Sequence, residues 1–300
     1  MRRAVVADFG ALPGVEVRYT LDSRYPSRRG SLPIGPGEEA GRFVELARAA
    51  DAVLVIAPET GGLLSARERL LRRVGVPSLG GSPRAVGTAG DKLAASRRLA
   101  ALGVPVVPTR RHDPRRPPPD QPTVLKPRDG AGSIATLLVP PGEPWPARAG
   151  CLIAQPFLTG RPASAAAILS RSGSIRWIGA SAQKVTIAAG HFAYRGGSVP
   201  HQFPRALRAA LTRALRDWPG LAGWVGIDYI WDPGRRRAVV LEVNPRLTTS
   251  YLGHRARLGG AWIAAAWLHA ADLGPAPGRR PSPIAAAVHF RADGRITRAR

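Results

Sequence analysis

The chain has 300 residues, with 44 Lys and Arg against 20 Asp and Glu, a formal net charge of +24 and 44% hydrophobic residues. That length fits one large domain or two to three small ones, and the apolar share is that of a globular protein rather than a disordered one. The charge admits nucleic acid, a membrane surface or anionic small molecules as partners, but it is spread along the chain rather than gathered in a basic tail, and aromatics at 6% are thin for a base-stacking surface.

In chain order, the first 80 residues read as a small α/β unit. "AVVADFG" and "DAVLVIAPE" are short apolar strands. Residues 20–37, rich in Gly, Pro, Ser and Arg, are expected to be loop. "SARERLLRRVG" has helical spacing and a stop at Gly75. Ser82-Pro83 opens the next helix as N-cap and first residue, and that helix runs to Gly103. Residues 110–121 are a proline-rich connector. Strand signals follow in "TVLKPR", "ATLLV", "CLIAQPFL", "ASAAAILS" and "SIRWIGASAQKV", then a helix over 204–217. "GWVGIDYIW" and "RAVVLEVN" form a hairpin around "DPGRR". "AWIAAAWLHAADLG" is a buried helix and "AAVHFRADG" a final strand.

The lone cysteine, Cys151, excludes an intrachain disulfide and fits a reducing compartment. Its apolar surroundings predict a buried thiol. Asp8 interrupts the apolar run after Arg2-Arg3, so no signal peptide is read. The longest apolar stretch, near 261–271, is too short to span a membrane. A cytoplasmic location is expected.

Strand alternation places chemistry on the hairpin. Val225, Ile227, Tyr229 and Trp231 share one face, and Gly226, Asp228 and Ile230 the other. On the second strand Val239, Leu241 and Val243 share a face, opposite Glu242 and Asn244. A turn centred on Arg235 sets Asp228 directly against Glu242. Two facing carboxylates are destabilising unless neutralised, and a hard divalent cation with oxygen ligands does so. The alternative is a solvated hairpin face carrying two acids. Asn244 favours the cation, because it is the only Asn in the chain.

Only 3 of the 44 basic residues are Lys, at 92, 126 and 184. Most Arg therefore reads as Lys replaced by compositional drift, and the three survivors stand out. Lys126 ends an apolar strand, with Gly130 and Gly132 just beyond. Glycine-rich turns let backbone N–H groups approach phosphate oxygens, and a Lys adds a compact point charge where an Arg fork is bulkier.

Together these stretches resemble the ATP-grasp superfamily of carboxylate–amine ligases over roughly residues 82–255. "SPRAVGTAGDKLAASRRLAALGVPVVPT", "VLKPRDGAGS", "LIAQPFLTGRPAS" and "GIDYIWDPGRRRAVVLEVNPRLTTS" carry the resemblance. It implies an α/β (α+β) ATP-grasp fold: an N-terminal pre-ATP-grasp unit over 1–81, a small lid subdomain over 82–150 and a larger subdomain over 151–300. It also implies ATP as the bound nucleotide, contacted by Lys92, Lys126, Gly130, Gly132 and Ser133, with Gln155, Phe157 and Leu158 at the adenine hinge. Asp228, Glu242 and Asn244 would hold Mg²⁺, with Mn²⁺ as a substitute. Arg246, Lys184 and Arg195 would be catalytic.

Many members carry Glu at the position of Gln155 and an acidic ribose contact at that of Pro162, which leaves the ribose contact unassigned. "GRPASAAAILS", "AQKV…YRGGSVP" and "EVNPRLTTSYLG" resemble most the tyramine–L-glutamate ligases of methanofuran biosynthesis. That likeness implies an amino-acid carboxylate and a small amine as substrates, a "YRGG" turn bringing Tyr194 and Arg195 toward them, and Tyr251 as a candidate apolar wall. A homodimer is compatible with this reading and a membrane partner is not. The competing reading is a basic nucleic-acid-binding protein, supported only by the charge.

Overall fold

The computed structural model describes residues 1–147 and 150–298, the side chain of Arg298 excepted. The elements are α1 (Arg2–Gly10), β1 (Tyr19–Asp22), β2 (Ser31–Ile34), α2 (Glu39–Arg48), α3 (Leu63–Val74), α4 (Pro83–Gly90), α5 (Lys92–Ala101), β3 (Arg110–Arg111), β4 (Thr123–Pro127), β5 (Leu137–Val139) and β6 (Leu152–Pro156). There follow β7 (Arg161–Leu169), β8 (Ile175–Ala188), β9 (His191–Val199), α6 (Arg205–Arg216), β10 (Gly223–Asp232), β11 (Arg237–Asn244), α7 (Ser250–Leu258), α8 (Gly260–Ala270), β12 (Val288–Arg291) and β13 (Ile296–Arg298).

An antiparallel sheet organises most of the chain, in the order β11-β10-β7-β8-β9-β5-β4-β6-β3, with β12 and β13 added beside β9. Both faces of its β7–β10 part are covered. On one face Val225, Ile227, Tyr229 and Trp231 pack with Leu207, Leu211 and Leu215 of α6 and with Ala95 and Leu99 of α5. On the other, Trp224, Ile168 and Ile178 pack with Tyr251 and Leu252 of α7 and Ile263 and Trp267 of α8. Burying side chains of this size contributes roughly 1.5–3 kcal/mol each before entropy is counted. A small separate core of Leu125, Val139, Leu152 and Ala154 holds β4, β5 and β6 together.

The first residues correct the sequence reading. "AVVADFG" is not a strand but lies in α1. Val5 and Phe9 stand one helical turn apart and pack into the α8 cluster, with Phe9 and Trp267 ring centroids 6.1 Å apart. Tertiary packing here overrides the β preference of Val. Asp8, on the same face, accepts from Tyr251 Oη at 2.5 Å and Arg255 Nε at 2.6 Å, which docks α1 onto α7.

Residues 20–37 are not all loop, because β1 and β2 pair in parallel from Tyr19↔Ser31 to Asp22↔Ile34. "DAVLVIAPE" forms no strand ladder among the described residues and makes one bridge, Val53↔Ser78. The helix predicted from Ser82 to Gly103 is two helices. Asp91 breaks it with an extended backbone and then caps α5, accepting from Leu93 N and Ala94 N at 3.0 and 3.1 Å.

"YRGG" is strand, inside β9, rather than a turn. Cys151 is exposed, not buried, because it precedes β6 at the edge of the small core. Ser82 does cap α4, as expected, accepting from Ala85 N at 3.3 Å. No helix of the described residues is long and apolar enough to cross a membrane.

Candidate active site

The β10–β11 hairpin sets Asp228 directly opposite Glu242, the register expected from the turn. One detail differs. Tyr229 pairs with Val240, so Leu241 is an extra residue, a β-bulge. Alternation therefore restarts there: Ala238, Val240 and Val243 face the α6 core, and Val239 and Leu241 do not share Val243's face. Asp228, Glu242 and Asn244 still converge on the opposite face. Gly226, opposite Asn244, leaves that face bare: a Cβ there would meet Thr248 Cγ2 at 2.6 Å, so the turn after Asn244 can close over it.

Four side chains hold the pair. Gln183 Nε2 donates to Asp228 Oδ1 at 2.9 Å and Asn244 Nδ2 to Asp228 Oδ2 at 3.2 Å. Lys126 Nζ donates to Glu242 Oε2 at 3.2 Å, and Lys92 Nζ lies 3.7 Å from the same oxygen. Lys92 also donates to the Gly130 carbonyl at 2.9 Å, tying α5 to the glycine loop. Both Lys side chains are nearly buried, at 9% and 10% exposure.

Charge is balanced locally rather than by solvent. Burial, then the charge of Glu242, pushes the Asp228 carboxyl well above the usual range. Burial works in the same direction on Glu242, but Lys92 and Lys126 outweigh it and hold Glu242 low. Burial lowers Lys126, against the opposing pull of Glu242. Asp228 is thus a carboxyl strained by its neighbour, which a dication would relieve. The donors fit a hard divalent cation that keeps water or phosphate as its remaining ligands. Among the described residues no group of three or more His, Cys, Asp and Glu is arranged to hold a metal ion by itself, so a softer His/Cys site is not what these residues build.

Arg246 joins this centre to the N-terminal part. It donates from Nη2 to Asn244 Oδ1 at 3.3 Å and from Nε to Glu59 Oε2 at 2.6 Å. Glu59 was missed in the sequence, although it is an acid closing an apolar run just before Gly61-Gly62. Gln183 was missed beside Lys184.

On the other side, Gln155 is buried on β6 and donates to Thr109 Oγ1 at 2.9 Å and, at 3.5 Å, to the carbonyl of the bulged Leu241. Phe157 stands 6.4 Å from the Phe192 ring, and Leu158 is half-buried beside it in sequence. Gly130, Gly132 and Ser133 all have positive φ (119°, 74° and 62°), and Ile134 at the loop tip is 77% exposed.

Lys184 and Arg195 lie apart from the carboxylates. Both are exposed. They line a cleft of about 630 Å³ with Gln183, Thr186, His289 and Arg291. Arg195 Nε donates to Thr186 Oγ1 at 3.1 Å. Gln183 is the link, since it also touches Asp228. Tyr194 is half-buried, and burial and the Asp228 charge raise its hydroxyl pKa. Tyr251 is not a wall of the site: it is fully buried, packed on Trp224 at 5.4 Å and bonded to Asp8.

Comparison with known proteins follows the same lines. The ATP-grasp domain model matches residues 89–250, more than half of the chain, and the pre ATP-grasp 3 domain model matches residues 15–86. No curated protein matches the sequence. An ATP-grasp superfamily protein from Archaeoglobus fulgidus is similar in structure, with 22% identity and a TM-score of 0.63 over 86% of this chain and 74% of that one. The biotin carboxylase domain of Hydrogenobacter thermophilus 2-oxoglutarate carboxylase, crystallised with MgADP, ADP and bicarbonate, gives 15% identity and a TM-score of 0.73 over 96% and 71%. The L-amino acid ligase from Bacillus licheniformis gives 14% and 0.67 over 92% and 73%. At these identities the likeness is one of fold.

Proposed function

The chain belongs to the ATP-grasp family, and from that premise we propose that it is an ATP-dependent carboxylate–amine ligase working through an acyl-phosphate. The observation that carries the reading is the half-buried Asp228–Glu242 pair clamped by Lys92 and Lys126. Phosphoryl transfer asks a protein for fixed charge and position rather than for a nucleophile, and these four side chains supply both.

On this reading residues 1–81 are the pre-ATP-grasp unit, 82–150 the lid and 151–300 the larger half. ATP lies between lid and larger half, its phosphates on Lys92, Lys126 and the backbone of Gly130, Gly132 and Ser133, its adenine beside Gln155, Phe157 and Leu158. Asp228, Glu242 and Asn244 would hold Mg²⁺, and Mn²⁺ suits the same oxygen donors. A cation held there would supply positive charge against the phosphates. Closure of the loop over residues 130–133 would keep water from the activated carboxylate.

The reaction balances simply. A substrate carboxylate oxygen bonds to the γ-phosphorus, and the bond to ADP breaks. An amine nitrogen then bonds to the acyl carbon, phosphate leaves and one proton is released. Arg246 stabilises charge on the acyl-phosphate, while Lys184 and Arg195 receive the carboxylate substrate in the cleft beside Gln183.

For the substrates we favour the γ-carboxylate of glutamate and tyramine, tyrosine or a similar small amine, in the cytoplasm where ATP is available. A cationic cleft suits a dicarboxylate. The known relatives support the class: one is named an L-amino acid ligase, another, from Thermus thermophilus, an N5-carboxyaminoimidazole ribonucleotide synthetase. The test is incubation with ATP, Mg²⁺, glutamate and each amine, with mass spectrometry for the γ-glutamyl amide. ADP release with another carboxylate but never with glutamate removes the substrate and keeps the ligase; no ADP release with any carboxylate–amine pair removes both.

A further inference from the structure

A second cleft, of about 310 Å³, lies between α3, α4 and the segment Arg128–Asp129, and its Glu59 is joined through Arg246 to Asn244 beside the carboxylate pair. Its polar lining is acidic. Glu59, Asp91 and Asp129 stand there against one cation, Arg128, in a chain whose net charge is +24. Two of the acids are engaged. Asp91 binds Arg128 through three contacts of 2.5–2.9 Å and caps α5, and Asp129 Oδ2 accepts from Gly61 N at 2.8 Å.

Glu59 is different. It is 6% exposed and lines the cleft, and its Oε2 takes Arg246 Nε. Its Oε1 is shut from water and has no hydrogen-bond donor among the described residues. Carboxylate oxygens in such places are expected to have a donor, and an N–H-rich cation is the natural one. Gly90 holds the arrangement: a Cβ there would meet Glu59 Cγ at 2.9 Å, so only a residue without one leaves the Glu59 side chain its place.

We propose that this cleft receives the amine substrate and that Glu59 is the residue that selects it, by accepting from its ammonium group. The inference rests on the ligase reading for the word substrate, though not for the binding. Leu64 and Val86 form apolar wall, which suits a primary amine on an apolar stem. Arg246 touches both Glu59 and Asn244, so an ammonium on Glu59 stands one guanidinium away from the carboxylate pair. The two substrates are then sorted by charge: the anionic one to the basic cleft of Lys184, Arg195 and Arg291, the cationic one to the acidic cleft of Glu59.

The chain's only thiol makes this testable without turnover, because Cys151 is exposed and lines the acidic cleft. The probes are tyramine and n-butylamine, with n-butanol as the uncharged control, and the measurement is the rate of Cys151 alkylation by iodoacetamide in the full-length chain. We expect both amines to slow alkylation saturably, by at least threefold, and n-butanol not to. Glu59→Gln and Gly90→Ala should each abolish the protection while leaving the thermal melt cooperative. In turnover, Glu59→Gln should raise the KM for the amine at least tenfold and shift the KM for ATP less than twofold. Protection by n-butanol equal to that by n-butylamine overturns the proposal, as does full protection in Glu59→Gln or a parallel rise in both KM values. Glu59-dependent protection in a protein that releases no ADP with any carboxylate–amine pair would sink the ligase reading and leave the ammonium site standing.

Discussion

Glu242 Oε2 is shared by two ammonium groups that reach it from different elements, Lys126 at the end of β4 and Lys92 at the start of α5. One carboxylate oxygen therefore ties the small core of β4–β6, the helix beyond Asp91 and the β10–β11 hairpin into one electrostatic unit. Replacing Glu242 by Gln keeps the shape and removes the charge that both Lys need. We expect Glu242→Gln to keep its far-UV spectrum and to lose at least about 10²-fold in Mg²⁺-dependent kcat, the scale seen when one preorganised charge is removed. Near-normal turnover at saturating ATP would take Glu242 out of the site.

Lys126 is nearly buried and donates to Glu242 Oε2 at 3.2 Å. Lys126→Ala is expected to weaken ATP binding about ten- to a hundredfold by calorimetry. Lys126→Arg should not restore it, since a fork does not fit where a point charge fits. Unchanged affinity in Lys126→Ala removes the residue from nucleotide binding.

The loop over residues 130–133 has three consecutive described features of a lid: positive φ at Gly130 and Gly132, positive φ at the non-glycine Ser133, and the bare apolar side chain of Ile134 just beyond. A non-hydrolysable ATP analogue should raise amide-exchange protection over 130–134 at least tenfold relative to the free protein. Equal protection in both states counts against closure.

Glu68 offers a test in stability. It is buried on α3 and burial pushes its carboxyl up to about 7, against a smaller opposing contribution from Ser78. A raised folded pKa means the folded state holds the proton more tightly than the unfolded one. The stabilisation is complete below about pH 4.5 and is lost as pH rises to about 7, a swing of about 3 kcal/mol. Glu68→Gln should flatten this slope, leaving the variant more stable than the parent at pH 8 in urea unfolding and close to it at pH 4.5. A parent whose stability rises between pH 4.5 and 8 by the same amount as the variant's contradicts the assignment.

Much of the fold was legible because local patterns and tertiary needs agree in it. The pairing at the hairpin's carboxylates was legible: alternation from Val225 to Trp231 and a turn at "DPGRR" were enough to set Asp228 against Glu242. The bulge at Leu241 was not readable, since Val239, Val240, Leu241 and Val243 are all apolar and any parity suits them. α1 was misread for a related reason. Its helical signal is only Val5, Asp8 and Phe9, and what decides it is Trp267, more than 250 residues away. In the site, Lys92 and Lys126 stood out because composition had removed other Lys. Glu59 carried no such contrast. Its place depends on Arg246 and on the missing side chain of Gly90, neither of which is near it in sequence.

The distribution of amines in this molecule has a practical consequence. Of its three Lys, two are enclosed around Glu242 and only Lys184 reaches solvent. An amine-directed ester, which on most proteins labels a dozen places at random, would meet here one side chain at the mouth of the basic cleft, together with the N-terminus. The arginines that give the chain its charge are inert to such reagents. A single conjugation step would therefore deliver a fluorophore to Lys184 without mutagenesis, and any later labelling of Lys92 or Lys126 would itself report that the clamp had opened.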